Sequence, residues 1–236
     1  MRIFVTQNRM SSALFGYTAS FTKLLAEKYS TRTVLRYDGQ RYPSSGAELM
    51  PLMTYGEPKV VQDGNTQKLT VVRCGIGGNT VKRLLARADD FLGKRIYGRN
   101  ADLFIVSVGI NDSLKNDPKK YVTPSQYSDD LNKLIGLMKT SAPDSDIILM
   151  TPSYNDIGDS EVSSVDEYAQ EMLKVASTRQ LPIIDLHKMW MEHLCVGCEN
   201  YGQGDWLSGV KGDMCHPSDI GHAAIADKIF KDIFEI

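Results

Sequence analysis

Short apolar runs recur along the 236-residue chain, and each is followed by a stretch whose apolar positions repeat every three to four residues. That alternation predicts an α/β fold with strands at 3–6, 69–74, 103–108, 147–151 and 183–186. Helices are expected at 17–29, 80–92, 124–140, 165–176 and 219–234. The strand runs lack polar alternation, so both of their faces should be buried, as in a roughly five-stranded parallel sheet covered by helices on each side. Thr123 and Pro124 suit an N-cap and first turn of the third helix, and Pro217-Ser218 precedes the last. In that last helix Ile220, Ala223 or Ala224, Ile229, Phe230 and Ile233 mark one apolar face.

Residues 31–68 break the alternation. They contain Asp38-Gly39 and Asp63-Gly64, and the run from Val60 to Leu69 reads as a hairpin feeding the second core strand. The segment is expected to be a β-rich insertion decorating one end of the sheet. Repeats, low-complexity tracts and Pro-rich linkers are lacking, which makes 1–236 a single domain in this reading.

Composition narrows the function classes. Lys plus Arg number 27 against 29 Asp plus Glu, a formal net charge of -2, so no global field attracts nucleic acid. No run of 18 or more apolar residues offers a membrane span, and the first residues turn polar too soon for a signal peptide. A cytoplasmic protein is expected unless a targeting segment precedes this sequence. Four cysteines are too few for a disulfide framework, and reduced thiols are expected. Cys195-Val196-Gly197-Cys198, with His193 nearby and Cys215-His216 following, has the outline of a zinc knuckle. Adjacent Cys and His do not easily ligate one ion together, and a second ribbon-type pair is lacking. A Cys195 to Cys198 disulfide or ordinary packing is therefore expected, with no metal and no cofactor.

Three clusters follow strands, where open α/β sheets bind ligands. Cys74-Gly75-Ile76-Gly77-Gly78-Asn79-Thr80 is rich enough in glycine to bring backbone N–H groups close to an anion, or to serve only as a tight turn. It is neither a phosphate-binding P-loop nor a dinucleotide fingerprint. In Gly109-Ile110-Asn111-Asp112-Ser113 the Asn amide can donate to an oxyanion, or Asn111 and Asp112 can cap the next turn. In Asp213-Met214-Cys215-His216-Pro217 a carboxylate three residues from an imidazole can fix its tautomer.

Taken together, Gly78, Gly109-x-Asn111 and Asp213-x-x-His216-Pro217 resemble blocks two, three and five of the SGNH hydrolases, the GDSL-type esterases and lipases. Val108-Gly109-Ile110-Asn111-Asp112-Ser113-Leu114-Lys115, Ile148-Leu149-Met150-Thr151-Pro152 and Gly221-His222 are similar to the isoamyl-acetate-hydrolysing esterase branch. The resemblance covers about 69–234. It implies a flavodoxin-like three-layer α/β/α sandwich and metal-free acyl transfer from a short-chain or O-acetyl ester of a small molecule or glycan. In that carry-over His216 is the general base, Asp213 its orienting partner, and Gly78 N–H and the Asn111 amide are oxyanion donors.

The family's Gly-Asp-Ser is absent, and two placements compete for the nucleophile. Met10-Ser11-Ser12 with Gly16 four residues on makes Ser12 the nucleophile, with Ser11 as the alternative. An uninterrupted exit from the first strand instead puts Asn8 or Arg9 there and leaves the site without a hydroxyl, Thr6 being a weaker candidate. The second placement implies a protein that binds an acylated or carbohydrate ligand without turnover. Residues 199–210, including Trp206, are expected to line the pocket or to form a loop anchored to the core.

Overall fold

The computed structural model describes residues 1–6, 16–41, 53–55, 57–64, 67–92, 101–154, 165–194, 206 and 216–235. The strands are β1 (Arg2–Thr6), β2 (Thr33–Arg41), β3 (Met53–Tyr55), β4 (Lys59–Gln62), β5 (Lys68–Arg73), β6 (Leu103–Ser107), β7 (Asp146–Met150) and β8 (Ile183–Ile184). The helices are α1 (Gly16–Lys28), α2 (Val81–Ala86), α3 (Asp89–Leu92), α4 (Pro124–Ser141), α5 (Val165–Arg179), α6 (Leu186–Leu194) and α7 (Asp219–Phe234).

All eight strands among the described residues form one sheet. Its backbone order is β2-β5-β1-β6-β7-β8, parallel throughout, with β3 and β4 both antiparallel to the outer edge of β2. The five expected strands therefore form the centre and one flank, within a residue or two of their expected ends. The 31–68 segment requires correction, because β2 is a full parallel member of the sheet and not a decoration of it. The expected hairpin is overturned as well: β4 and β5 lie on opposite edges of β2, so the Asp63-Gly64 connection passes across that strand. Asp38-Gly39 lies within β2 and is not a turn.

Alternation along the strands sends side chains to two cores. Ile3, Val5, Leu69, Val71, Leu103 and Ile105 face α1, α6 and α7 through Tyr17, Phe21, Trp190, Ile225 and Ile229. Val72, Phe104, Val106, Ile147 and Leu149 face α2 to α5 through Leu84, Phe91, Leu131, Leu134, Tyr168 and Met172. Each fully buried large side chain contributes about 1.5–3 kcal/mol, and the sheet collects them on both faces. That explains why its strands read as continuous apolar runs.

Local rules set the helix starts. Thr123 accepts from Gln126 N–H at 3.2 Å and Pro124 occupies the first turn of α4, while Ser218 accepts from Gly221 N–H at 3.0 Å at the start of α7. The expected helix at 80–92 is two helices, broken at Arg87, whose backbone leaves the helical region (φ -109°, ψ 22°). Helix α6 was not anticipated, because β8 has only two residues and Leu186 begins the helix directly after it. Asp185 Oδ1 accepts from Lys188 N–H at 3.0 Å and starts that helix. No helix among the described residues is long and apolar enough to cross a membrane.

Helices α1 and α7 run in the same direction. The Lys28 ammonium donates to the Phe234 carbonyl, so their C-terminal ends meet, and Phe21 and Phe234 rings lie 6.0 Å apart. Phe21 is fully buried in that seam, whereas Leu137 on α4 is 38% exposed. Phe21→Ala is expected to lower stability by about 3–5 kcal/mol through cavity formation. Leu137→Ala should change it by under about 1 kcal/mol, both read from urea denaturation midpoints.

Candidate functional site

Strand β1 lies between β5 and β6, so three chain segments leave the same carboxyl edge side by side: that after Thr6, that after Arg73 and that after Ser107. The segment after β1 leads to α1 on one face, while those after β5 and β6 lead to α2 and α4 on the other. Diverging exits of this kind open a crevice at the strand ends.

The Gly-rich turn after β5 is held from several sides. Arg87, almost fully buried, donates from Nη2 to the Cys74 carbonyl at 2.6 Å. Oriented so that both partners are satisfied, the Asn79 side-chain oxygen accepts from Arg87 Nε at 2.7 Å and Nη2 at 3.0 Å. Arg83 Nη1 reaches the Gly78 carbonyl at 3.2 Å, and Thr80 caps α2 by accepting from Arg83 N–H at 3.2 Å. Gly78 itself has φ +79°, a left-handed conformation that favours glycine.

The turn after β6 is tied to α4 and to that first turn. Gly109 has φ +134°, and a Cβ there would lie 3.1 Å from Pro152 Cγ. Tyr127 donates its hydroxyl to the Val108 carbonyl at 3.0 Å. Asn111, 1% exposed, donates from Nδ2 to the Asn79 carbonyl at 2.9 Å, and Val81 N–H donates to Asp112 Oδ1 at 2.8 Å. Gly78 and Asn111 are thus brought onto neighbouring, mutually bonded turns.

His216 stands two residues ahead of the Ser218 cap of α7. Because α7 runs parallel to α1, and α1 starts from the carboxyl edge, His216 lies on that edge too. Trp206 is joined to the start of α7, its carbonyl accepting from Ser218 N–H at 2.8 Å. The Trp206 ring stacks on His193 at a centroid distance of 3.7 Å and meets Trp190 edge-on at 5.0 Å. Of the two roles expected for that aromatic, the structure shows the anchor on α6. Asn8, Arg9, Ser11, Ser12, Asp213, Cys195, Cys198 and Cys215 lie outside the described residues.

Burial shifts a histidine and a carboxyl here. Burial pulls His222 down to about 4, against the Asp219 carboxylate and with help from His216, so its imidazole is neutral across the neutral range. Burial pushes the Asp112 carboxyl up to about 7. The Val81 N–H, its own backbone N–H and Arg83 oppose the rise, and Asp130 adds to it. The structural contributions of Asp112, Arg83 and Arg87 escaped the sequence reading. Asp112 had a local signal, its place in the Asn-Asp pair, but the arginines had none, since their acceptors lie on a turn that only the fold brings to them.

Residues 54–224, more than half of the chain, match the profile of the GDSL-like lipase/acylhydrolase family. The chain belongs to that family. The match leaves residues 1–53 outside it, Ser11 and Ser12 among them. No curated protein matches significantly. Among solved structures, this family member is similar to the acetyl xylan esterase AlAXEase, with 19% identity, TM-score 0.69, and 99% of this chain and 100% of that one covered. It is also similar to a catalytic mutant of Axe2, an acetylxylan esterase from Geobacillus stearothermophilus (22% identity, TM-score 0.63, 99% and 93% covered). A lipase/acylhydrolase from Enterococcus faecalis shows 18% identity and TM-score 0.62 with 99% and 95% covered. These likenesses bear out the α/β sandwich.

The raised Asp112 value has a sign for stability. The folded state keeps its proton up to about pH 7, whereas the unfolded chain loses it near the ordinary value of 3.8, so stability falls as pH rises between those limits. Asp112→Asn, which stays neutral, is expected to gain thermal stability relative to the parent at pH 8 and to gain less at pH 5. Melting temperatures at the two pH values check this.

Proposed function

We propose that this family member hydrolyses the ester of a short-chain acyl group, an acetyl group on a small molecule or a glycan, and that residues 1–236 act as one domain in doing so. The observation that carries the reading is the Asn111 Nδ2 bond to the Asn79 carbonyl at 2.9 Å. A primary amide has two N–H groups. Using one of them here fixes the amide beside Gly78 and reserves the other, which has no acceptor among the described residues, for a developing oxyanion. The O-acetyl preference is supported by the acetylxylan esterases that share the fold.

In this mechanism the Ser12 hydroxyl, or that of Ser11, attacks the ester carbonyl carbon while His216 accepts its proton and Asp213 orients the imidazole. Gly78 N–H and the Asn111 amide stabilise the tetrahedral oxyanion. Collapse expels the alcohol, which takes the proton from His216. Water, deprotonated by the same histidine, then releases the carboxylic acid and regenerates the serine.

A fluorophosphonate probe tests the reading directly. Peptide mass mapping should find the adduct on Ser12 or Ser11, and His216→Ala should abolish it. Absence of any adduct, under conditions that label a known serine esterase, would replace this reading with ligand binding without turnover. Asn111→Ala should lower kcat on 4-nitrophenyl acetate by about 100-fold or more, and a change under threefold would remove Asn111 from the mechanism.

A further inference from the structure

We propose that Asp112 is a positioning residue that clamps the Gly78–Val81 turn to the Gly109–Ser113 turn and thereby sets the spacing between Gly78 N–H and the Asn111 amide. The inference rests on the esterase reading for its catalytic consequence, though not for the clamp itself. Consecutive residues on one turn bond in opposite senses to residues two apart on the other: Asn111 donates to the Asn79 carbonyl at 2.9 Å, and Asp112 Oδ1 accepts from Val81 N–H at 2.8 Å. One such bond leaves the turns free to pivot about it, whereas two fix both separation and tilt.

Helix capping alone does not account for the carboxylate. Helix α2 already has a local cap in Thr80, and its first-turn N–H is reached by Asp112 from 31 residues along the chain. The carboxylate is fully buried, and its Oδ2 has no hydrogen-bond partner among the described residues. An unmatched buried polar atom is destabilising, and one retained in a native fold calls for a reason beyond stability. The groups that bear on it are Arg83 from α2, Asp130 and Tyr127 from α4, and Tyr168 from α5. Arg83 is the favourable charge among them, and its Nη1 is bonded to the Gly78 carbonyl.

The test compares Asp112→Ala and Asp112→Asn in kcat and KM for 4-nitrophenyl acetate and in amide hydrogen exchange over residues 74–86. The asparagine keeps an acceptor for Val81 and should stay within threefold of the parent in kcat with exchange unchanged. The alanine should lose tenfold or more in kcat, keep KM within threefold, and exchange faster across the turn. Asp112→Leu, similar in shape without an acceptor, is read in the same way where the alanine variant fails to fold. Equal losses in the asparagine and acceptor-free variants, or an acceptor-free variant within threefold of the parent, would overturn the proposal and leave the esterase reading standing. A parent protein that neither turns over the ester nor takes the fluorophosphonate defeats the esterase reading instead. Exchange then decides the clamp: faster in the acceptor-free variant alone upholds it, and no difference overturns it.

Discussion

Strand β1 is hydrogen-bonded along both edges to parallel neighbours, and that confinement organises the rest of the molecule. A short strand paired on both sides has nowhere to lead except its carboxyl end. There the chain must turn to one face while the segments from β5 and β6 turn to the other. The meeting of these turns at one edge is thus a by-product of chain routing. Its position needs no special residue, and only the groups that furnish it are matters of side-chain chemistry.

Those groups are held stiffly by interactions that oppose stability when taken singly. Arg87 buries a guanidinium, and Asp112 buries a carboxyl with one oxygen unmatched among the described residues. Charges in a low-dielectric interior are tolerable only when their donors and acceptors are met. Arg87 meets that condition by gripping both ends of the Gly-rich turn. The stabilising burial of the two apolar cores supplies the surplus that lets the carboxyl edge remain polar inside.

What the sequence disclosed follows the range of the forces involved. The starts of α4 and α7 were legible because an N-cap acts within four residues, and the central strands because burial on both faces leaves an uninterrupted apolar run. Strand β2 was hidden by Arg36, which is buried within it and breaks the apolar pattern, and by an Asp-Gly pair that elsewhere signals a turn. Gly78, Asn111 and His216 could be singled out since each sits in a short motif after a strand. Arg83 and Arg87 could not, because contacts set by three-dimensional routing leave no mark at fixed spacing. Trp206 was ambiguous for the same reason, its stacking partner lying on a helix that the pattern did not disclose.

The parallel course of α1 and α7 has a mechanical corollary. At sixteen residues α7 is about 24 Å long, and its last residue is joined to the end of α1 through the Lys28 ammonium and the rings of Phe21 and Tyr29. The two helices pack side by side through Tyr17, Phe21, Leu25, Ile225, Ala226 and Ile229 as well as meeting at their far ends. A change confined to the final turn of α7 would therefore load a seam that both helices share, and its effect would be felt by α1 as much as by α7.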